Sequence, residues 1–188
     1  KKEIYKEKIK TNIDSNFLKK KLFFKIKKKM KLLKISDQKE MIKKIFNISK
    51  VENMSNHFLD QNEIKILIND KLVTIGSHSY DHLSLKNFDK KNIFEQIEKS
   101  KEYLEKVFNI SIKHFSFPYG QSEDIAYYEH EILYKLGFLT GVTTLDYSYK
   151  KFNQYYLDRC SIGPNVRTAD FRRKLLGVDQ LLRKFFLR

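Results

Sequence analysis

From residue 60 onward, short runs of β-branched and aromatic residues alternate with stretches of helical periodicity. No other feature constrains the fold as strongly. Asp60-Gln61-Asn62-Glu63 reads as a capping box opening a helix through Ile64, Leu67 and Ile68, which closes near Asn69-Asp70. Val73 to Ile75 reads as a buried strand, and residues 89–108 as an amphipathic helix with Ile93, Ile97, Leu104 and Phe108 inward. Ile112 to Phe117 alternates as a strand and runs into Pro118-Tyr119-Gly120. A helix over Tyr127 to Lys135, ended by Gly137, precedes strands over Phe138 to Thr144 and Tyr156 to Ile162. Thr168 then N-caps a last helix through Leu175-Leu176. Strands alternating with helices predict a parallel sheet or barrel built from βα units. In such folds sites form at the carboxyl ends of strands, and the loops after Ile75 and Phe117 both leave such ends.

The first of these loops is Gly76-Ser77-His78-Ser79-Tyr80-Asp81-His82. If the segment turns helically, His78 and His82 share a face, about 5–6 Å apart at Cβ. Two imidazoles so placed can grip one divalent ion at about 2.0–2.1 Å. The plainer reading is a pair of polar loop residues at a strand end. Pro118-Tyr119-Gly120 is likewise open to reading as an ordinary turn, since Pro and Gly are turn formers.

The first 50 residues differ in kind. They hold 18 lysines against five acidic residues, whereas residues 51–188 hold 20 basic against 18 acidic, so the net charge of +15 is local. Leu18, Leu22, Phe23, Ile26, Met30 and Leu33 recur at helical spacing among the lysines, and Met41, Ile42, Ile45, Phe46 and Ile48 make a second short helix. Residues 16–35 are open to two readings: a helix packing its stripe on its own domain, or one laid on an anionic membrane surface. Nucleic acid is disfavoured, because no arginine precedes Arg159 and no nucleic-acid motif occurs. The expected division is a basic helical segment over 1–57, packed on the same domain as 58–188. A hydrophobic fraction of 41% suits one domain with a sizeable core. Cys160 is the only cysteine, which excludes an internal disulfide and a cysteine-based zinc site. No apolar run approaches the ~20 residues that span a bilayer.

Taken together, Ile75-Gly76-Ser77-His78-Ser79-Tyr80-Asp81-His82-Leu83-Ser84 resembles the second motif of the NodB-homology polysaccharide deacetylases. His114-Phe115-Ser116-Phe117-Pro118-Tyr119-Gly120 resembles their third, one helix further on. Gly141-Val142-Thr143-Thr144 with Leu157-Asp158-Arg159 is similar to the strand and arginine that follow in many members. The resemblance covers about residues 60–176. It implies an α/β fold, an incomplete distorted (β/α) barrel with a lysine-rich helical segment ahead of it. It also implies hydrolysis of a carbon–nitrogen, non-peptide bond: metal-dependent removal of N-acetyl groups from a surface polysaccharide or an oligosaccharide precursor. The implied metal is a divalent ion, zinc above others, with His78 and His82 as two of three ligands. The backbone N–H of Tyr119 is the implied oxyanion donor, and Pro118, Tyr119 and Gly120 the substrate loop.

Departures from the family pattern matter as much. Its first motif, adjacent aspartates supplying the general base and the third metal ligand, has no counterpart, since no Asp-Asp pair occurs. Ser116 stands where an arginine often precedes Pro-Tyr-Gly, and Arg159 is either its substitute, orienting the base, or a structural ion-pair residue. No histidine follows His130, so the family's late histidine is also missing. The expectation is an N-terminally truncated member, weak or inactive as a catalyst. The alternatives are a sugar-binding or scaffolding remnant and a peripheral membrane-surface protein. The expected location is the cytoplasmic face or the envelope of a bacterium.

Overall fold

The computed structural model describes residues 15–46, 58–145, 153–178 and 185. The chain divides into two compact units, 1–50 and 51–188. The division expected at 57/58 borders residues 47–57, which lie outside the described residues, as do Asn53 to Asn56, where the sequence predicts a turn, and Ile48 of the expected second helix.

In the first unit, α1 spans Asn16–Met30 and α2 spans Ile35–Phe46. Ser15 caps α1, its hydroxyl accepting from Leu18 N at 3.1 Å. In α2, Met41 is buried.

The second unit carries the sheet. Helix α3, Gln61–Ile68, opens on the expected capping box: Asp60 accepts from Asn62 N and Glu63 N, and the Glu63 carboxylate accepts from Asp60 N. Helix α4, Lys90–Phe108, is capped by Asp89 and stops at Asn109, which adopts the left-handed conformation. Strand β1, His114–Ser116, pairs in parallel with β2, Thr140–Val142, across helix α5, Glu129–Lys135. Helix α6, Thr168–Leu175, follows, with Arg167 rather than Thr168 at the N-cap. Single parallel bridges extend the sheet on both sides, Ser77 to Phe115 and Val142 to Leu157. Four chain segments thus lie side by side in sequence order, a parallel α/β arc.

All four expected strands are shorter than their composition implies, Ile112 to Phe117 reduced to β1 and Phe138 to Thr144 to β2, and the other two to less than a ladder. Val73 to Ile75 forms no ladder; Thr74 is exposed and Val73 and Ile75 only half-buried, because pairing begins at Ser77. Of Tyr156 to Ile162, Leu157 alone bridges. Strand formation needs a partner as well as β-branched residues, and β-propensity by itself is weak.

Apolar residues from every layer meet beneath the sheet. Phe115, Phe117, Phe138, Ile93, Ile97, Ile112, Ile132 and Leu133 are almost fully buried in one cluster. Phe115 lies at its centre, its ring edge-on to Phe117 at 5.1 Å and to Phe138 at 5.8 Å. Helix α5 ends in a Schellman motif. Phe138 N donates to Leu133 O and Gly137 N to Tyr134 O, with Gly137 at φ +74°. The apolar contact that accompanies this motif is the Leu133–Phe138 pair, which seats β2 on the core.

Candidate active site

The two motif loops leave neighbouring segments of the arc. Ser77 is fully buried; its backbone N–H donates to His114 O at 2.8 Å and its hydroxyl to Ser100 of α4 at 2.9 Å. His78 therefore emerges at a fixed point beside the carboxyl end of β1. The loop beyond it is clamped to α4 by Gln96, whose side chain donates to Asp81 Oδ2 at 2.8 Å and accepts from Asp81 N at 2.9 Å. Tyr80 N adds a bond to Gln96 O.

His78 and His82 do meet, though not on a helix. Ser79 and His82 sit at φ +60° and +52°, so two left-handed residues fold the loop back on itself. The imidazole centroids are 4.8 Å apart at an interplanar angle of 76°. Non-glycine residues in this region carry strain of order 1–3 kcal/mol, which only surrounding structure can hold. Here the Gln96 clamp supplies it on one side. On the other, Ser84 donates to Asp124 Oδ1 at 2.6 Å, tying the loop to the segment after Gly120.

His78 Nδ1 lies 2.6 Å from Ser116 O. A carbonyl can only accept, so Nδ1 is the donor here, which leaves Nε2 as the nitrogen available to a metal. His82 is held below the ordinary histidine range, first by desolvation and then by its neighbour His78. Both effects favour a neutral imidazole, the form that binds a cation. Ser79 Oγ, between them in sequence, is a buried hydroxyl with no hydrogen-bond partner. The donor set fits a divalent ion of zinc's class as two imidazole ligands. Among the described residues no third His, Cys, Asp or Glu completes a cluster.

Pro118-Tyr119-Gly120 is not an ordinary β-turn. Gly120 N donates to Pro118 O at 2.6 Å, with Tyr119 between them at φ +60°. That is a γ-turn with a positive central φ, the rare and strained form. Gly120 is required: its own φ is +69°, and a Cβ would lie 2.7 Å from Thr144 N. The Tyr119 ring stands 4.8 Å from that of His82, which joins the two motifs.

Residues beyond the motifs brace this turn. Thr144 Oγ1 donates to Tyr119 O at 2.7 Å and Thr144 N to Gly120 O at 3.0 Å. Arg159 is exposed, and its Nε donates to Thr143 O at 2.6 Å, next along the same strand end. Thr144 lies in the Gly141–Thr144 stretch that the resemblance already included, but its bond to Tyr119 is not readable there, and Gln96 and Asp124 give no sign in the sequence of serving the site. Each is a common polar residue whose partner lies 15–40 positions away.

A model of the polysaccharide deacetylase family matches residues 27–139, more than half of the chain. The chain belongs to the polysaccharide deacetylase family. The matched stretch takes in both histidines and Pro-Tyr-Gly, beginning within α1 and ending just before β2. Among solved structures, this family member is similar to the Streptococcus pyogenes deacetylase PplD in complex with acetate. The likeness has 19% identity and a TM-score of 0.50, over 62% of this chain and 50% of that one. It carries the fold, a mixed α/β architecture of the deacetylase kind, and the chain spans about half the length of that structure. No curated protein matches the chain.

Proposed function

We propose that the site is that of a hydrolase removing N-acetyl groups from a surface polysaccharide or its oligosaccharide precursor, with His78 and His82 holding a divalent metal, most favourably zinc. The observation that carries this reading is the T-shaped imidazole pair, 4.8 Å between centroids, with Tyr119 at the same distance from His82. The family and the deacetylase-like fold support it. The same reading takes the four-segment arc as part of a distorted (β/α) barrel.

When bound, the metal polarises the amide carbonyl and lowers the pKa of the attacking water. The protein's own residues do the rest. Ser116 O orients His78 through Nδ1, leaving Nε2 as the nitrogen that would hold the ion. Tyr119 N–H donates to the acetyl oxygen as it gains negative charge, and the γ-turn holds that donor in advance. Gly120 lets the sugar approach without a Cβ in the way. Arg159 anchors the Thr143-Thr144 strand end on which the turn rests, a positioning role.

Two imidazoles form a weaker site than three ligands, and the described residues bring no third. Weak or absent turnover by this chain follows, with the ligand pair retained. Zinc titration by calorimetry against His78→Ala/His82→Ala tests the reading. The expected affinity is about micromolar or weaker, lost in the double variant. Hydrolysis of an N-acetylated glucosamine oligomer with zinc present then distinguishes a hydrolase from a sugar-binding scaffold. Zinc binding unchanged by the double variant overturns the assignment.

A further inference from the structure

Helix α1 shows a face that the hydrolytic reading does not use. It carries seven lysines and no acidic residue, so no counter-charge stands within it. At 3.6 residues per turn its side chains separate into two sides. Leu22, Ile26 and Met30, four apart, form a half-buried stripe. On the other side Phe17 and Phe24, seven apart and so in line along the axis, are 74% and 63% exposed. Lys20, Lys21, Lys27 and Lys28 flank them, all exposed. Phe23, edge-on to Phe24 at 5.6 Å and itself exposed, adds a further ring beyond the Lys20 and Lys27 row.

Phenyl rings held in water forgo burial worth roughly 1.5–3 kcal/mol each. A partner that recovers this while meeting ammonium groups on both flanks must be layered, anionic at its surface and apolar beneath. We propose that the Phe17–Phe24 face of α1 docks on an anionic lipid surface, the rings at the acyl boundary and the lysines among the headgroups. The charge complementarity is that of lysines, compact point charges suited to a layer of headgroups. Arginine, which stacks on bases and forks onto phosphate, is absent from α1, so the face suits nucleic acid less well.

The test uses the full chain, sedimented with vesicles of phosphatidylcholine alone or mixed with phosphatidylglycerol, at low and high salt. Binding is expected only to the mixed vesicles and is expected to fall with salt. Replacing Lys20, Lys21, Lys27 and Lys28 with Gln should weaken it on the order of 10²–10³-fold, at about fivefold per lysine. Phe17→Ser/Phe24→Ser should weaken it about tenfold or more. All six positions are exposed, and circular dichroism checks that helix content is kept. Equal binding to neutral vesicles, no binding at low salt, or binding insensitive to the Phe substitutions overturns the proposal. So does tighter binding to a single-stranded oligonucleotide that the Phe substitutions weaken, since the face is then a nucleic-acid surface.

Discussion

Tyr119 shows how much of this site depends on single backbone angles. The described residues hold five non-glycine positions at positive φ, and Ser79, His82 and Tyr119 are three of them. Such conformations persist only where neighbours over-determine them, and Thr144 does so for Tyr119 through Gly120 and the Tyr119 carbonyl. Gly120→Ala should therefore destabilise the protein by about 1–3 kcal/mol, from the positive φ and the clash with Thr144 N. Urea denaturation of the two proteins measures this. An unchanged midpoint would mean that the turn relaxes at no cost. Tyr156 is a second residue under constraint. Its ring stacks on Phe117 at 5.4 Å, its hydroxyl donates to the fully buried Glu129 at 3.3 Å, and it accepts from His130 N at 3.1 Å. Burial and the neighbouring Glu129 push that hydroxyl well above the ordinary tyrosine range, so it remains a donor. Tyr156→Phe should cost about 1–3 kcal/mol, because it leaves a buried carboxylate oxygen and a backbone N–H without this partner. Thermal melts resolve a loss of that size.

Among the elements, the passage from α4 to β1 is held by one carboxylate. Glu105 Oε1 accepts from Lys101 Nζ at 2.6 Å and from Ile112 N at 2.9 Å, while Lys101 also donates to Ile112 O at 2.7 Å. The hydrogen bond from Lys101 holds the Glu105 carboxyl below the ordinary glutamate range, Ile112 N adding to it against a partial desolvation. A depressed native pKa means that the unfolded chain binds more protons between the two values, so stability falls as pH drops through them. The contribution is fully present above about pH 4.3, the unfolded reference, and is lost as acid titrates the folded carboxylate. Glu105→Gln should cost about 1 kcal/mol at neutral pH, the group being half-buried and partly screened by solvent. The difference from the parent should shrink progressively as the pH falls below about 4.3, the unfolded reference. Urea midpoints taken across that range decide it; a difference independent of pH would assign the loss to packing. The ends of the same helices were legible locally. Asp60 with Glu63, Asp89 ahead of α4 and Gly137 after α5 all act within a few residues of where they stand. The reach of Glu105 to Ile112 was not, since nothing in a helical pattern says which outward carboxylate turns back over the next loop.

For the molecule as a whole, the arc rests on a small core dominated by three phenylalanines. Phe115→Ala should cost about 3–5 kcal/mol, a large share of the 5–15 kcal/mol that holds an ordinary domain. Equilibrium unfolding should show a lower midpoint or a chain already part-unfolded, and a loss under 1 kcal/mol would place the core elsewhere. The sequence alone determined the α/β alternation, the capping box of α3 and the glycine stop of α5, the adjacency of the two motifs across one helix and the family they indicate. Each follows from periodicity or from groups within a turn or two of one another. Tertiary structure decided how short the strands are, and that His78 and His82 meet through two left-handed residues rather than along a helix face. It also chose Gln96, Asp124 and Thr144 to hold the loops that carry them. Those outcomes depend on partners 15–40 residues away, and a local pattern carries no record of which distant polar group will be there to accept the bond.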